Sequence, residues 1–148
     1  MAIARGPGTE IIRTGWWEAV NATERALIIG VQHHIYTIIS ITVHAVSLAA
    51  VSDRMEIRLD GYDCKAGTTG RSMTLAKLNV QAGETFVWNN KFSFNGAEPV
   101  NFTGPMDDAT KQDAIADQGT ATAQKLLADA TGADVFEIGI MYLDQNNA

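Results

Sequence analysis

Charge is scarce in this chain. Only 19% of its 148 residues are Asp, Glu, Lys or Arg, against roughly 25% in ordinary soluble domains. The 11 basic residues are scattered singly and the net charge is −6, so no grouped cations are available to neutralise phosphates, which argues against a nucleic-acid partner. Cysteine is nearly absent. A lone Cys64 cannot close an internal disulfide, which excludes a disulfide scaffold and points to a reducing compartment or indifference to redox state. Reaction signatures are missing too: there is no GxSxG, no P-loop and no GxGxxG. The opening MAIARGPGTE has no apolar stretch after its arginine and breaks at Gly6-Pro7-Gly8, so it is expected to be an extended arm over residues 1–10, not a signal peptide.

What remains is apolar and β-branched. Hydrophobic residues make up 46% of the chain, enough for one core of ordinary size at this length. A chain with a plain core and few charges is expected to cover part of its surface with other subunits. The longest uncharged run, Ala26 to Ser52, is long enough for a membrane helix. Its composition disagrees, because it carries Gln32, His33, His34, His44 and several Ser and Thr, without flanking cations. β-branched residues such as Ile28, Ile29, Val31, Ile35, Ile38, Ile41 and Val43 favour strands, so no membrane segment is expected. Period-2 alternation puts Val31, His33, Ile35, Thr37, Ile39, Ile41, Val43 and Ala45 on a core face. Gln32, His34, Tyr36, Ile38, Ser40, Thr42, His44 and Val46 fall on a polar face. Two strands, Ala26 to Ile29 and Ile35 to Ser47, are expected in place of one straight element.

The same theme continues along the chain. MEIRLD alternates Met55, Ile57 and Leu59 inward with Glu56, Arg58 and Asp60 outward. A Gly/Thr/Ser loop from Cys64 to Ser72 follows, then the short strands MTLAKLNV, ETFVW and KFSF, separated by turns at Gln81-Ala82-Gly83 and Asn89-Asn90. From Gly104 the composition changes. Pro105 and two aspartates precede helix formers, and Gly119 is a stop, which predicts a short surface helix over Asp107 to Gln118, within 105–119. ATAQKLLADA reads as helix or strand. The turn signal Thr131-Gly132-Ala133-Asp134 favours a strand from Gln124 to Ala130, hairpinned to DVFEIGIMYLD. That last strand is apolar on nearly every position, so it is expected to be central or at a subunit contact. The expected fold is all-β: a single antiparallel β-sandwich over 11–148, jelly-roll-like, of about eight strands, with the arm and an insertion spanning 104–133.

No constellation carries chemistry convincingly. His34 and His44 share the predicted polar face but stand roughly 33 Å apart at about 3.3 Å per residue. They cannot hold one metal. His33 and His34 are adjacent and point opposite ways, so sheet histidines hydrogen-bonded at a core edge or an interface are expected, with no metal and no cofactor. Asp107, Asp108, Asp113 and Asp117 read as a solvated helix face, and Cys64, beside Asp63, as a thiol without a role. Trp16 and Trp17, with Trp88, are candidates for a sugar platform. As strand neighbours, however, Trp16 and Trp17 face opposite ways, one to the core and one to an interface.

The order of these elements resembles the small β-sandwich virion proteins of tailed bacteriophages. The matching pieces are Val80-Gln81-Ala82-Gly83-Glu84-Thr85-Phe86-Val87-Trp88, then Lys91-Phe92-Ser93-Phe94-Asn95-Gly96, and Asp134 to Asp144, within a likeness running from Thr9 to Gln145. The chain departs from that compact pattern through the insertion at 104–133. The resemblance implies a non-enzymatic virion protein, first a capsid decoration or cement protein that bridges major capsid subunits, as a homotrimer on the capsid surface made in the host bacterial cytoplasm. It equally covers neck, tail and baseplate fittings. Ile3 and Arg5 of the arm, Trp16, Trp17, His34 and His44 are the expected contact residues. Two rival functions are a carbohydrate- or receptor-binding module using the exposed tryptophans, and a metal-dependent cupin-type enzyme.

Overall fold

The MEIRLD alternation is realised as read. In the computed structural model, which describes residues 9–31, 34–49, 54–62, 71–96 and 123–146, strand β4 (Met55–Tyr62) buries Met55, Ile57 and Leu59. The other strands are β1 (Thr9–Val20), β2 (Arg25–Ile29), β3 (His34–Ser47), β5 (Arg71–Leu78), β6 (Thr85–Trp88), β7 (Phe92–Asn95), β8 (Lys125–Ala130) and β9 (Val135–Asn146). No helix occurs among the described residues, and none there is long and apolar enough to cross a membrane. The expected helix over Asp107 to Gln118 lies outside the described residues, as do Ile3, Arg5, His33, Cys64 and the four aspartates of that stretch.

The strands form two antiparallel sheets. Sheet A has the order β1-β9-β3-β6, with β7 also paired to β3, and sheet B has the order β2-β8-β4-β5. The inward residues of both sheets belong to one hydrophobic cluster, centred on Ile38, Ile41, Val43, Met55, Ile57, Leu126, Phe136 and Ile138. Period-2 strands with one apolar face make such a sandwich-like arrangement because each sheet has only the other on which to bury that face. The uncharged run Ala26 to Ser52 is therefore divided: β2 lies in sheet B and β3 in sheet A. Of the two places expected for β9 from its near-continuous apolar character, central or at a subunit contact, it takes the central one, between β1 and β3.

Two expectations are corrected. The turn Thr131 to Asp134 does not close a hairpin: β8 pairs with β2 and β4, while β9 pairs with β1 and β3. This turn carries the chain from one sheet to the other. Its last residue, the fully buried Asp134, accepts the Ala49 backbone N–H at 2.7 Å and so ties the switch to the end of β3. β8 itself falls within 104–133 and is an inner strand of sheet B. The second correction concerns β3. Its register against β9 slips by one residue between Ile38 and Ser40, and the extra residue, Ile39, reverses the alternation. Tyr36 and Ile38 are buried before it, and Ile41, Val43 and Ala45 after it. His34 consequently shares the inner face with Tyr36, whereas His44 points out with Thr42, so the two histidines lie on opposite faces of the sheet and not on one.

A similar slip between Trp17 and Val20 in β1 returns Val20 to the core and puts Ala19 at φ 54°, the left-handed region that costs an L-residue about 1–2 kcal/mol. Where the sheets meet, the backbone is bonded from one to the other. Gly96 donates to the His34 carbonyl, Gln124 to that of Gly96, and Gly30 to that of Gln124, each at 2.8 Å. Gly30 and Gly96 allow this crossing because a Cβ on Gly30 would stand 1.9 Å from the Gly96 oxygen, and one on Gly96 would stand 2.2 Å from the Val31 oxygen. Backbone cannot swing aside as a side chain can. Gly30→Ala and Gly96→Ala should each lower stability by about 2 kcal/mol or more, read as a reduced denaturant midpoint at unchanged slope. Ala19→Gly should raise stability by a few tenths to about 1 kcal/mol in the same measurement.

Candidate functional site: the outer face of sheet A

The outer faces of the two sheets differ in kind. On sheet B, Arg58 pairs with Glu24 and, at 3.1 Å, with Asp129. Lys77 approaches Glu56 at 3.5 Å, and Thr74 and Ser72 donate their hydroxyls to Glu56 and Asp60. The Thr74 hydrogen bond, aided by the Lys77 and Arg58 cations, holds the Glu56 carboxyl below its ordinary range. This is a solvated, ion-paired surface, of the sort whose individual pairs contribute little stability.

Sheet A presents the opposite. Register sets its outward residues in rows across the strands: Ile12, Leu143, Thr37 and Ser93; then Thr14, Met141 and Ser40; then Trp16, Gly139, Thr42 and Val87. None of these carries a charge. Glu10 bounds the block at one end, through the row Glu10, Gln145, Ile35 and Asn95, and Glu137 with His44 and Thr85 bounds it at the other. Ile12 is 63% exposed and Trp16 56%, with Val87 and Met141 also open to solvent. An uncharged centre with aromatic and Met residues and charge confined to the rim is the composition of a contact surface.

Trp16 leans across the strand pair into space that only glycine leaves. A Cβ on Gly139 would stand 2.8 Å from the Trp16 ring, and one on Gly15 would stand 2.4 Å from that of Trp17. The two indoles thus lie on opposite faces of β1, Trp16 outward and Trp17 partly buried against the core. Between Trp16 and the β3 hydroxyls runs an open trough of about 460 Å³, bordered by Thr14, Ser40, Thr42, Gly139 and Met141. Sequence reading named Trp16 but missed Gly139, whose role depends on cross-strand register. It did place Ser40 and Thr42 on a neutral face.

His34 lies apart from this surface, at one end of the inner face. Its Nδ1 meets Asp144 Oδ1 at 2.6 Å, and Arg13 Nε donates to Asp144 Oδ2 at 2.8 Å, so one buried carboxylate joins three adjacent strands. Tyr36 accepts the Val31 N–H at 3.2 Å and stacks on His34 with ring centroids 6.1 Å apart. His44, on the outer face, shares a hydrogen bond with Thr85 at 2.9 Å. Among the described residues no group of three or more His, Cys, Asp or Glu is placed to hold a metal ion.

Burial, helped by the Asp144 charge, raises the Tyr36 and Tyr142 phenols above their ordinary value. A raised phenol stabilises the fold in its neutral form. The contribution is complete below the unfolded value of about 10 and is lost as pH climbs through the folded one. Absorbance titration should show both phenolates forming only above the ordinary range, and Asp144→Asn should lower both values only in part, because burial is the larger cause. Asp144→Ala should cost about 2–3 kcal/mol in denaturant unfolding, because Arg13 and His34 lose their shared partner.

No protein-family model matches the chain, and neither does any curated protein. Among solved structures, a subunit of the Bacillus endospore appendages, described as a family of disulfide-linked pili, is 12% identical over all of this chain and 97% of its own, with a TM-score of 0.44. A protein of the acid-stable capsid of Helicobacter pylori bacteriophage KHP30 is 6% identical over 93% of this chain and 90% of its own, with a TM-score of 0.38. Likenesses this distant leave function to be argued from the geometry.

Proposed function

We propose that this chain is a non-enzymatic structural protein of a phage particle, first of all a capsid decoration or cement protein. The observation that carries the reading is the uncharged block of rows on sheet A, set against the ion-paired face of sheet B. A protein with one solvated face and one neutral, partly apolar face is suited to contact with other molecules. The strand order supports it as well: β1-β9-β3-β6 facing β2-β8-β4-β5 is the order of a double-sheet jelly roll, an architecture of viral shell and lectin domains. The sequence resemblance points the same way.

In this reading the protein works as a homo-oligomer, a trimer by the resemblance, without cofactor, nucleic acid or membrane. It bridges major capsid subunits and stabilises the assembled shell by binding it and not the dissociated subunits. The arm Met1 to Thr9, with Ile3 and Arg5, is the tether to the shell. Trp17 packs on the core and belongs to stability, which leaves Trp16 as the aromatic available for contact. A second reading, a receptor- or carbohydrate-binding module or a tail, neck or baseplate fitting of the same particle, is favoured by that exposed Trp16 beside an open trough.

Deleting Met1 to Gly8 should abolish occupancy of particles, measured by mass and electron microscopy, while the remaining domain keeps its unfolding midpoint. Normal occupancy by the truncated protein overturns the decoration reading. Trp17→Ala should cost about 2–3 kcal/mol of stability, and Trp16→Ala less than about 0.5 kcal/mol.

A further inference from the structure

On the outer face of sheet A, Thr37 is paired with Ser93 at 2.8 Å and Thr85 with His44 at 2.9 Å. In the trough, Thr14, Ser40 and Thr42 make no side-chain hydrogen bond among the described residues. All three border the same recess, beside the exposed Trp16 and Met141. No charged residue lines it, and its volume of about 460 Å³ falls in the range of roughly 300–1,000 Å³ usual for small-ligand sites.

Each feature constrains the occupant. An uncharged lining disfavours phosphates, carboxylates and ammonium groups, which would be partly desolvated there without a counter-charge. Three unengaged hydroxyls, each able to donate and to accept, suit a ligand that is itself a neutral array of hydroxyls. An indole with much of its surface open suits the apolar C–H face of a sugar ring, since aromatic side chains supply large, rigid contact area. The trough is open to solvent, so a sugar within a longer chain can be accommodated in it. From this convergence we infer that the trough between β1 and β3 is a binding site for a neutral saccharide, with one ring against Trp16 and hydroxyls bonded to Thr14, Ser40 and Thr42. The inference rests on the reading of this face as a contact surface and names its ligand class. It does not depend on the arm.

The geometry also gives Gly139 a positioning role. Its missing Cβ is what lets the Trp16 ring lie across β9, so Gly139→Ala displaces the platform without touching the hydroxyls.

The test is a titration of the full-length, isotope-labelled protein with maltotetraose, cellotetraose, mannotetraose and tetra-N-acetylchitotetraose, followed by amide NMR. At least one should give saturable shifts centred on Thr14, Trp16, Ser40, Thr42 and Met141. Trp16→Ala should weaken that binding about tenfold or more. Thr42→Val, which keeps volume and removes the hydroxyl, should weaken it several-fold, with the Asp144 and Arg58 clusters unmoved in both variants. No saturable shift with any of the four, or binding that survives Trp16→Ala, overturns the inference. So does a concentration-dependent mass that Trp16→Ala returns to monomer, since a second copy then covers the face. Particle occupancy of the unaltered protein separates the two proposals: if it occupies particles normally but binds none of the four saccharides, the saccharide site falls and the decoration role stands.

Discussion

One extra residue in β3 determines what this protein shows to its surroundings. β3 and β9 form the longest pairing among the described strands, and the inner face of that pairing is committed to the core. A strand with unbroken alternation would have to turn either Tyr36 and Ile38 or Ile41 and Val43 to solvent. Ile39 absorbs the conflict. It lets both sets point inward, and it leaves Thr37, Ser40 and Thr42 outward. Hydrophobic burial of about 1.5–3 kcal/mol per large side chain outweighs the lost ladder bond at a bulge, which is worth about 1 kcal/mol. The neutral outer face is thus a by-product of how the core is filled.

Much follows from that register. His34 is turned inward, where the buried Asp144 joins it to Arg13 and so fastens the ends of β3, β9 and β1. Gly139 is brought opposite both Trp16 and Thr42, where the absence of a side chain opens space for the indole. Near His34, the backbone bonds through Gly96, Gln124 and Gly30 carry the alignment of sheet A into sheet B. The polar clamp, the glycine crossing and the uncharged rows are not independent features, because moving β3 by one residue would misplace all three.

The fold was legible wherever composition and period agreed. Met55, Ile57 and Leu59 could be read as buried because Glu56, Arg58 and Asp60 separate them, and the central place of β9 was visible in its apolar character. Ile39 was not legible. A bulge made by an isoleucine, with no Gly, Pro or Asn beside it, leaves no local mark, so simple alternation assigned Tyr36 and Ile38 to the wrong face and put His34 with His44. The turn Thr131 to Asp134 has hairpin chemistry but links two sheets, a distinction set by which strands β8 and β9 pair with at long range. In the candidate site, opposed directions for Trp16 and Trp17 followed from adjacency alone. Which of them faces out is set by the register of β1 on β9, which puts Trp16 beside Gly139, and the Arg13–Asp144–His34 contact joins residues more than a hundred positions apart.

β3 reverses its alternation at Ile39 and thereby builds the neutral face. Thiol accessibility along the strand tests it most directly, using single cysteines at Thr37, Ile38, Ser40, Ile41 and Thr42 in a chain whose Cys64 is replaced by serine. Positions 37, 40 and 42 should label rapidly in the native protein, with 38 and 41 protected until unfolding. Labelling that keeps one parity throughout, with 37 and 41 alike and 38 and 40 alike, would contradict it.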